Sequence, residues 1–334
     1  MHDDHVQGVR ADVYGGQAHI SVTTIIEVSP SPYIMLESTS RYGILRSRLR
    51  GFTRTLLDVE SIDTRGAGRA WTAARRVREV LPLLQLSSAS VEKVTAKLRR
   101  LARRLEDVRE PAVALALLDD LLARERRGRQ AATRVRETLE EEGKRARANF
   151  ARKKVAHDVQ RIVARLTDEL EALHAEGDSR TQLRDLQWAA RARVARRAAD
   201  LKVAIQAAGS VYLASRLADV RAALRKLYFG AELAAEITPS VTASEVRALV
   251  RAQALLGQLL DVQTVIDRVR HVQSTLATPD LKAWRDLDAL IIPLETRCRA
   301  LHARFVRERT ALVALCDHLV AGAPAAVTIK RKVG

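Results

Sequence analysis

The sequence predicts an all-α protein built from two repeated antiparallel helical bundles. Three observations carry that prediction. Hydrophobic residues fill 47% of the 334 positions while aromatics fill only 4%. Ala, Leu, Val and Arg dominate, as in packed helices rather than a β-sandwich. Apolar residues recur at three- and four-residue spacing over residues 38–320, with fixed cations beside the apolar stripe. One stretch also has an echo. Arg75-Arg76 aligns with Arg225-Lys226, and Leu105 with Leu256. A unit of about 150 residues therefore occurs twice, each supplying four or five helices.

Taken in order, residues 1–37 carry Gly15-Gly16, a β-branched run from Ile20 to Val28 and Ser29-Pro30-Ser31-Pro32. They read as a flexible N-terminal segment. A helical domain follows over 38–320, with halves of about 38–176 and 177–320, and a basic C-terminal tail over 321–334. The first helix spans 40–59 and the second 65–86, closed by Pro82 and Ser87-Ser88. Ser90 is the expected cap of a third helix ending near Glu106, and Pro111 suits the first turn of a fourth. Residues 130–173 are long and charged, with Gly143 as the expected break or bend between an acidic part and a basic part. Gly177-Asp178-Ser179 is the clearest hinge. Helices are then expected over 180–208, 212–237, 243–260, 261–278 and 280–320, with Thr238-Pro239-Ser240 and Thr278-Pro279 at two boundaries.

At 100° per residue the faces of these helices can be assigned. In the second helix Ala70, Ala74, Val77 and Leu81 form the core stripe. Gly68, Trp71, Arg75 and Arg78 share a flank about a third of a turn round. In the echo Val220, Leu224, Leu227 and Ala231 are core, and Ala218, Arg221, Arg225 and Tyr228 take the equivalent flank. In the third helix Val94, Leu98, Leu101 and Leu105 are core. Lys93, Lys97, Arg100 and Arg104 line up about a quarter-turn away. Like charges in a row repel by a few tenths of a kcal/mol per adjacent pair, a cost that an anion relieves.

The formal net charge of +17 points the same way. Such an excess opposes compaction and attracts anions. Arg far outnumbers Lys, and guanidinium grips phosphate oxygens two at a time. Enzyme chemistry finds little footing. Arg65-Gly66-Ala67-Gly68-Arg69 lacks the Lys-Ser/Thr ending of a phosphate loop. Cys298 and Cys316 have no metal or disulfide spacing and read as buried free thiols. No cofactor and no metal are expected. No run reaches the ~18 apolar residues of a membrane span. The N-terminus Met-His-Asp-Asp-His shows no leader pattern, so a cytoplasmic protein is expected.

At the doubled basic words the chain resembles the CHAD domains, the conserved-histidine α-helical domains. The first copy is Ala73-Ala74-Arg75-Arg76-Val77-Arg78-Glu79-Val80-Leu81-Pro82, followed by a turn through Arg103-Arg104-Leu105, Val108-Arg109-Glu110 and Val113. The second runs from Ala207-Ala208-Gly209 through Val220-Arg221 and Leu224-Arg225-Lys226-Leu227 to Glu232-Leu233, then Leu255-Leu256-Gly257 with Asp261. The resemblance implies two related bundles around a central basic groove. It also implies non-catalytic binding of inorganic polyphosphate, often at polyphosphate granules. Carried over by position, the groove cations are Arg75, Arg76, Arg78, Arg109, Arg221, Arg225 and Lys226.

The chain departs from the family pattern at several positions. Gly68 and Ala218 stand where the name-giving histidines belong, Trp71 replaces an Arg, and Tyr228 replaces a basic residue. This is therefore a divergent member, in which Lys93, Lys97, Arg100 and Arg104 could supply additional anion contacts. Two other readings compete with polyphosphate binding. One is a protein-interaction scaffold that has lost its ligand. The other is nucleic-acid binding through the phosphate backbone, which the scarcity of aromatics disfavours for single strands.

Overall fold

The computed structural model describes residues 40–56, 64–124, 129–152, 155–276 and 280–322. The expected N-terminal segment, the Thr278-Pro279 boundary and nearly all of the basic tail lie outside them. Among the described residues the chain forms nine α-helices. They are α1 (Arg41–Thr55), α2 (Thr64–Val80), α3 (Ser88–Arg124), α4 (Arg129–Arg152) and α5 (Val155–Glu176), then α6 (Arg180–Ala208), α7 (Ala214–Ile237), α8 (Ala243–Ser274) and α9 (Leu281–Ala321). A 3-10 turn, Leu81–Leu83, closes α2. No described helix is long and apolar enough to cross a membrane.

Local chemistry explains several of the starts. Ser40 Oγ accepts from Gly43 N at 2.9 Å and opens α1. Ser179 and Gln182 form a reciprocal capping box at α6, as do Thr242 and Glu245 at α8. Asp280 accepts from Ala283 N at 3.0 Å at α9. Each cap satisfies a backbone donor that the first turn leaves unpaired.

Four sequence expectations are corrected. The third and fourth helices are one, α3, with Pro111 inside it. Its first turn is tied by Ser87, whose Oγ receives Ser90 N at 3.4 Å, so Ser90 is not the cap. The helices expected over 243–260 and 261–278 are also one, α8, whose buried residues continue through Leu259, Val262, Ile266 and Val269 past the expected boundary. Gly143 neither breaks nor bounds α4. It is buried opposite Pro111, and a Cβ built on it would lie 3.8 Å from the Pro111 Cβ. That is ordinary contact distance. A glycine in a helix interior costs about 1 kcal/mol relative to alanine. Gly143→Ala is therefore expected to raise the unfolding free energy by up to about 1 kcal/mol, read in a thermal melt.

Consecutive helices pack most extensively: α6 on α7, α8 on α9, α3 on α4 and α2 on α3. Two apolar cores result, and each draws on both halves of the sequence. The larger takes α1, α2, α5, α6, α7, the N-terminal parts of α3 and α8, Phe150 near the end of α4 and the C-terminal part of α9. The smaller joins Ala114 and Leu118 of α3, Val135 and Leu139 of α4, Val265 and Val269 of α8, and Leu287 and Leu294 of α9. Cys298 and Cys316 are buried free thiols, as expected.

Tyr212 and Leu301 touch both cores. At that seam His302 lies edge-on to Tyr212, with ring centroids 5.3 Å apart. Its Nε2 is buried without a hydrogen-bond partner among the described residues. Burial lowers the His302 pKa below its ordinary 6.5. The unfolded chain then takes up the proton first as pH falls. Stability at this residue is full above 6.5 and is lost as the solution acidifies below it. The melting temperature should fall less between neutral pH and pH ~5 for His302→Phe than for the wild type.

Candidate functional site

Helices α2 and α7 carry the doubled basic words, and the fold brings them together. The core stripes set their rotation. Ala70, Ala74 and Val77 are buried on α2, and Val220, Leu224 and Leu227 on α7. The flank beside each stripe then presents its cations to the other helix. Trp71 sits where they meet. The Arg75 guanidinium carbon lies over its ring at 4.5 Å from the centroid, and that of Arg225 at 5.4 Å. Two residues 150 positions apart in sequence thus share one indole. A cation over an indole face is attracted by the ring's electron density.

Electrostatics at this point are unfavourable to the cations. Burial, then Arg78 and Arg225, push the Arg75 pKa down to about 10. Burial, with Arg221 and Arg109 adding repulsion, lowers that of Arg225 against the pull of Glu106 and Asp261. The Nε atoms of Arg75 and Arg225 are buried without a hydrogen-bond partner among the described residues. Arg78 is lowered as well, by burial and by Arg99, with Arg197 and Arg193 adding and Glu79 opposing. The cluster is short of anions.

Its edges are partly neutralised. Arg109 Nη2 donates to Glu106 Oε1 at 3.0 Å. Arg221 Nη2 donates to Asp261 Oδ1 at 3.4 Å. Asp261 is raised by burial, with Glu106 adding, despite Arg221 and Arg109. Gly68 abuts this edge, since a Cβ there would lie 3.8 Å from Arg109 Cδ. Ala218 is exposed.

The remaining predicted groove cations have other settings. Arg76 is gripped by Glu232 through Nε at 2.9 Å and Nη2 at 2.5 Å. Tyr228 Oη donates to the same carboxylate at 2.9 Å. Burial opposes ionisation of Glu232, but Arg76 holds its pKa below the ordinary carboxylate value. Burial and Glu232 push the Tyr228 phenol up to about 12. Arg76 thus ties α2 to α7. Lys226 has an exposed side chain, and its carbonyl accepts from Arg197 Nη1 at 2.7 Å.

Sequence reasoning missed Glu79, Arg193 and Arg197. Glu79 is only 7% exposed and takes Arg193 Nε at 2.7 Å together with the Arg197 guanidinium. Gly230 makes room for this, because a Cβ there would come within 2.9 Å of Arg197 Nη1. No single-helix pattern signals the pairing, which joins α2 to α6.

Lys93, Lys97, Arg100 and Arg104 do not join the Trp71 cluster. On α3 they lie on the opposite flank of the buried stripe from Glu106 and Arg109. Arg104 pairs instead with Asp158 of α5 at 3.5 Å. Among the described residues no group of three or more His, Cys, Asp and Glu side chains could hold a metal ion. The Trp71 cluster offers guanidinium donors to an anion.

A family model for the CHAD domain matches residues 44–270. Among solved structures, the crystal structure of the CHAD domain from the plant Ricinus communis superposes with a TM-score of 0.52 at 17% identity. The match covers 85% of this chain and 91% of that one, and is a likeness of fold. No curated protein sequence matches the chain.

Proposed function

Because the chain belongs to the CHAD domain family, we propose that it is a non-catalytic polyanion-binding module whose ligand is inorganic polyphosphate. One observation carries the reading. Arg75 and Arg225, from the two halves, converge on Trp71 with Arg78, Arg109 and Arg221 around them and too few carboxylates to neutralise the set. Two related bundles around a basic groove would give such a cluster its place. Buried like charges destabilise the empty protein, and a bound polyanion replaces the missing counter-charges. Polyphosphate suits it because the polymer is a dense row of charges without bases. Arg and Lys suffice to hold it, and only 4% aromatics are available for stacking. Such a module acts where the polymer accumulates, at granules in the cytoplasm.

Duplex nucleic acid presents a phosphate row too. Competition separates the two ligands. Long-chain polyphosphate is expected to displace a labelled DNA duplex at far lower phosphate concentration than DNA displaces labelled polyphosphate. The reverse order would assign the site to nucleic acid.

A further inference from the structure

Lys97 and Arg100 of α3 lie on the same flank as Arg104, and Arg161 and Arg165 of α5 on the same flank as Asp158. The Arg104–Asp158 ion pair at 3.5 Å joins these two flanks into a second face. Burial lowers the pKa of Lys97, and Arg161, Arg165 and Arg100 add to the shift, with only Asp158 opposing among the main neighbours. That Asp158 is already paired with Arg104. Lys97, Arg100, Arg161 and Arg165 make no ion pair with any described residue. Arg48, Arg270 and Arg304, on other faces, are paired with Glu236, Glu295 and Glu308.

The location separates this face from the Trp71 cluster. At 100° per residue, Lys97 and Arg104 fall on one side of the stripe made by Leu98, Leu101 and Leu105, while Glu106 and Arg109 fall on the other. On α5, Arg161 and Arg165 occupy the flank turned to α3, away from Val163, Thr167 and Leu170, which line a cleft against α1. Beyond Arg104 a cleft of about 280 Å³ brings in Asp107 and Glu142, whose carboxylates bound the cationic face at that end. The residues of the two rows are more than sixty positions apart in sequence, so no local repeat accounts for their meeting.

We infer that the α3–α5 face is a second, independent anion site taking condensed phosphate. The ligand class rests on the function proposed above, but the site does not. Four cations from two helices can engage several oxygens of one short phosphate chain, and the ligand would supply the counter-charge that Asp158 alone does not.

Isothermal titration with tripolyphosphate at low salt tests this. The wild type is expected to take up two equivalents. Arg161→Ala/Arg165→Ala should take up one, as should Arg161→Gln/Arg165→Gln, which keeps much of each stem. Melting curves identify any variant that fails to fold, and the milder pair then decides. Two equivalents retained in both α5 variants would overturn the inference. So would a single wild-type equivalent that Arg75→Met/Arg225→Met abolishes, although the central site would then stand. Should the α5 variants lose an equivalent while Arg75→Met/Arg225→Met loses none, the second site is upheld and the central reading fails.

Discussion

Arg41→Met is expected to lower the unfolding free energy by about 3–5 kcal/mol, measured by denaturant titration. Arg41 opens α1, yet its side chain is only 2% exposed. Its Nε donates to Asp178 Oδ1 at 2.6 Å, its Nη1 to the Leu84 carbonyl at 3.3 Å and its Nη2 to the Gly177 carbonyl at 3.2 Å. Glu176 Oε2 lies 3.1 Å from Nη2, and the Arg41 backbone N–H donates to Asp178 Oδ2 at 2.7 Å. Burial opposes the charge, but Asp178 and Glu176 more than offset it, so the pKa is raised. One guanidinium thereby ties the start of α1 to the end of the 3-10 turn and to the α5–α6 connection. Methionine keeps the stem and the backbone bond to Asp178 Oδ2 but leaves that carboxylate, whose side chain is 11% exposed, without its cation. Breaking one partner of a buried pair costs far more than the pair's net worth. The contrasting variant is Arg48→Met. Its partner Glu236 is 42% exposed, and the loss should stay below about 1 kcal/mol. Equal losses in the two variants would contradict this role for Arg41.

Arg75→Met/Arg225→Met is expected to weaken polyphosphate binding by about a hundredfold at low salt, roughly 1.4 kcal/mol for each cation. Removing each phosphate-binding cation should also flatten the dependence of log K on log salt by about 0.7–0.9, so the slope should become shallower by about 1.5. Methionine retains a long apolar stem against Trp71. The unliganded double variant should melt no lower than the wild type, because it sheds two desolvated cations that repel their neighbours. Arg76→Met should behave oppositely. Its guanidinium is committed to Glu232, so stability should fall while the salt slope stays unchanged. Titrations at several salt concentrations with melts alongside resolve the two patterns.

Much of the fold was legible because helical spacing is local. The stripes Ala70-Ala74-Val77-Leu81, Val94-Leu98-Leu101-Leu105 and Val220-Leu224-Leu227-Ala231 are all buried. The chain does leave its helix at Gly177-Asp178-Ser179, and Gly177 has the positive φ of 67° that favours glycine. Pro111 misled because a proline normally ends or kinks a helix. Here Pro111 is buried inside α3 with Gly143 of α4 opposite it, a contact that no single-helix pattern shows. The basic flank of α2 and its echo on α7 were visible as spacing, and their meeting at Trp71 required the second helix. Glu79 was illegible for the same reason. It lies off the Ala70–Leu81 stripe, where one helical wheel makes it solvated, and α6 covers it with Arg193 and Arg197. Lys93 to Arg104 had the right periodicity, but spacing along α3 cannot say which neighbour each flank will face.

The most direct test is the melting temperature of the wild-type chain at low salt with long-chain polyphosphate. A ligand that binds only the native state stabilises it by RT ln(1 + [L]/Kd), about 2.7 kcal/mol at a hundredfold excess over Kd. Polyphosphate binding predicts a melting temperature that climbs with polymer concentration and returns toward its starting value as salt is added. A melting temperature indifferent to the polymer at every concentration would contradict it and leave the chain a helical scaffold without this ligand.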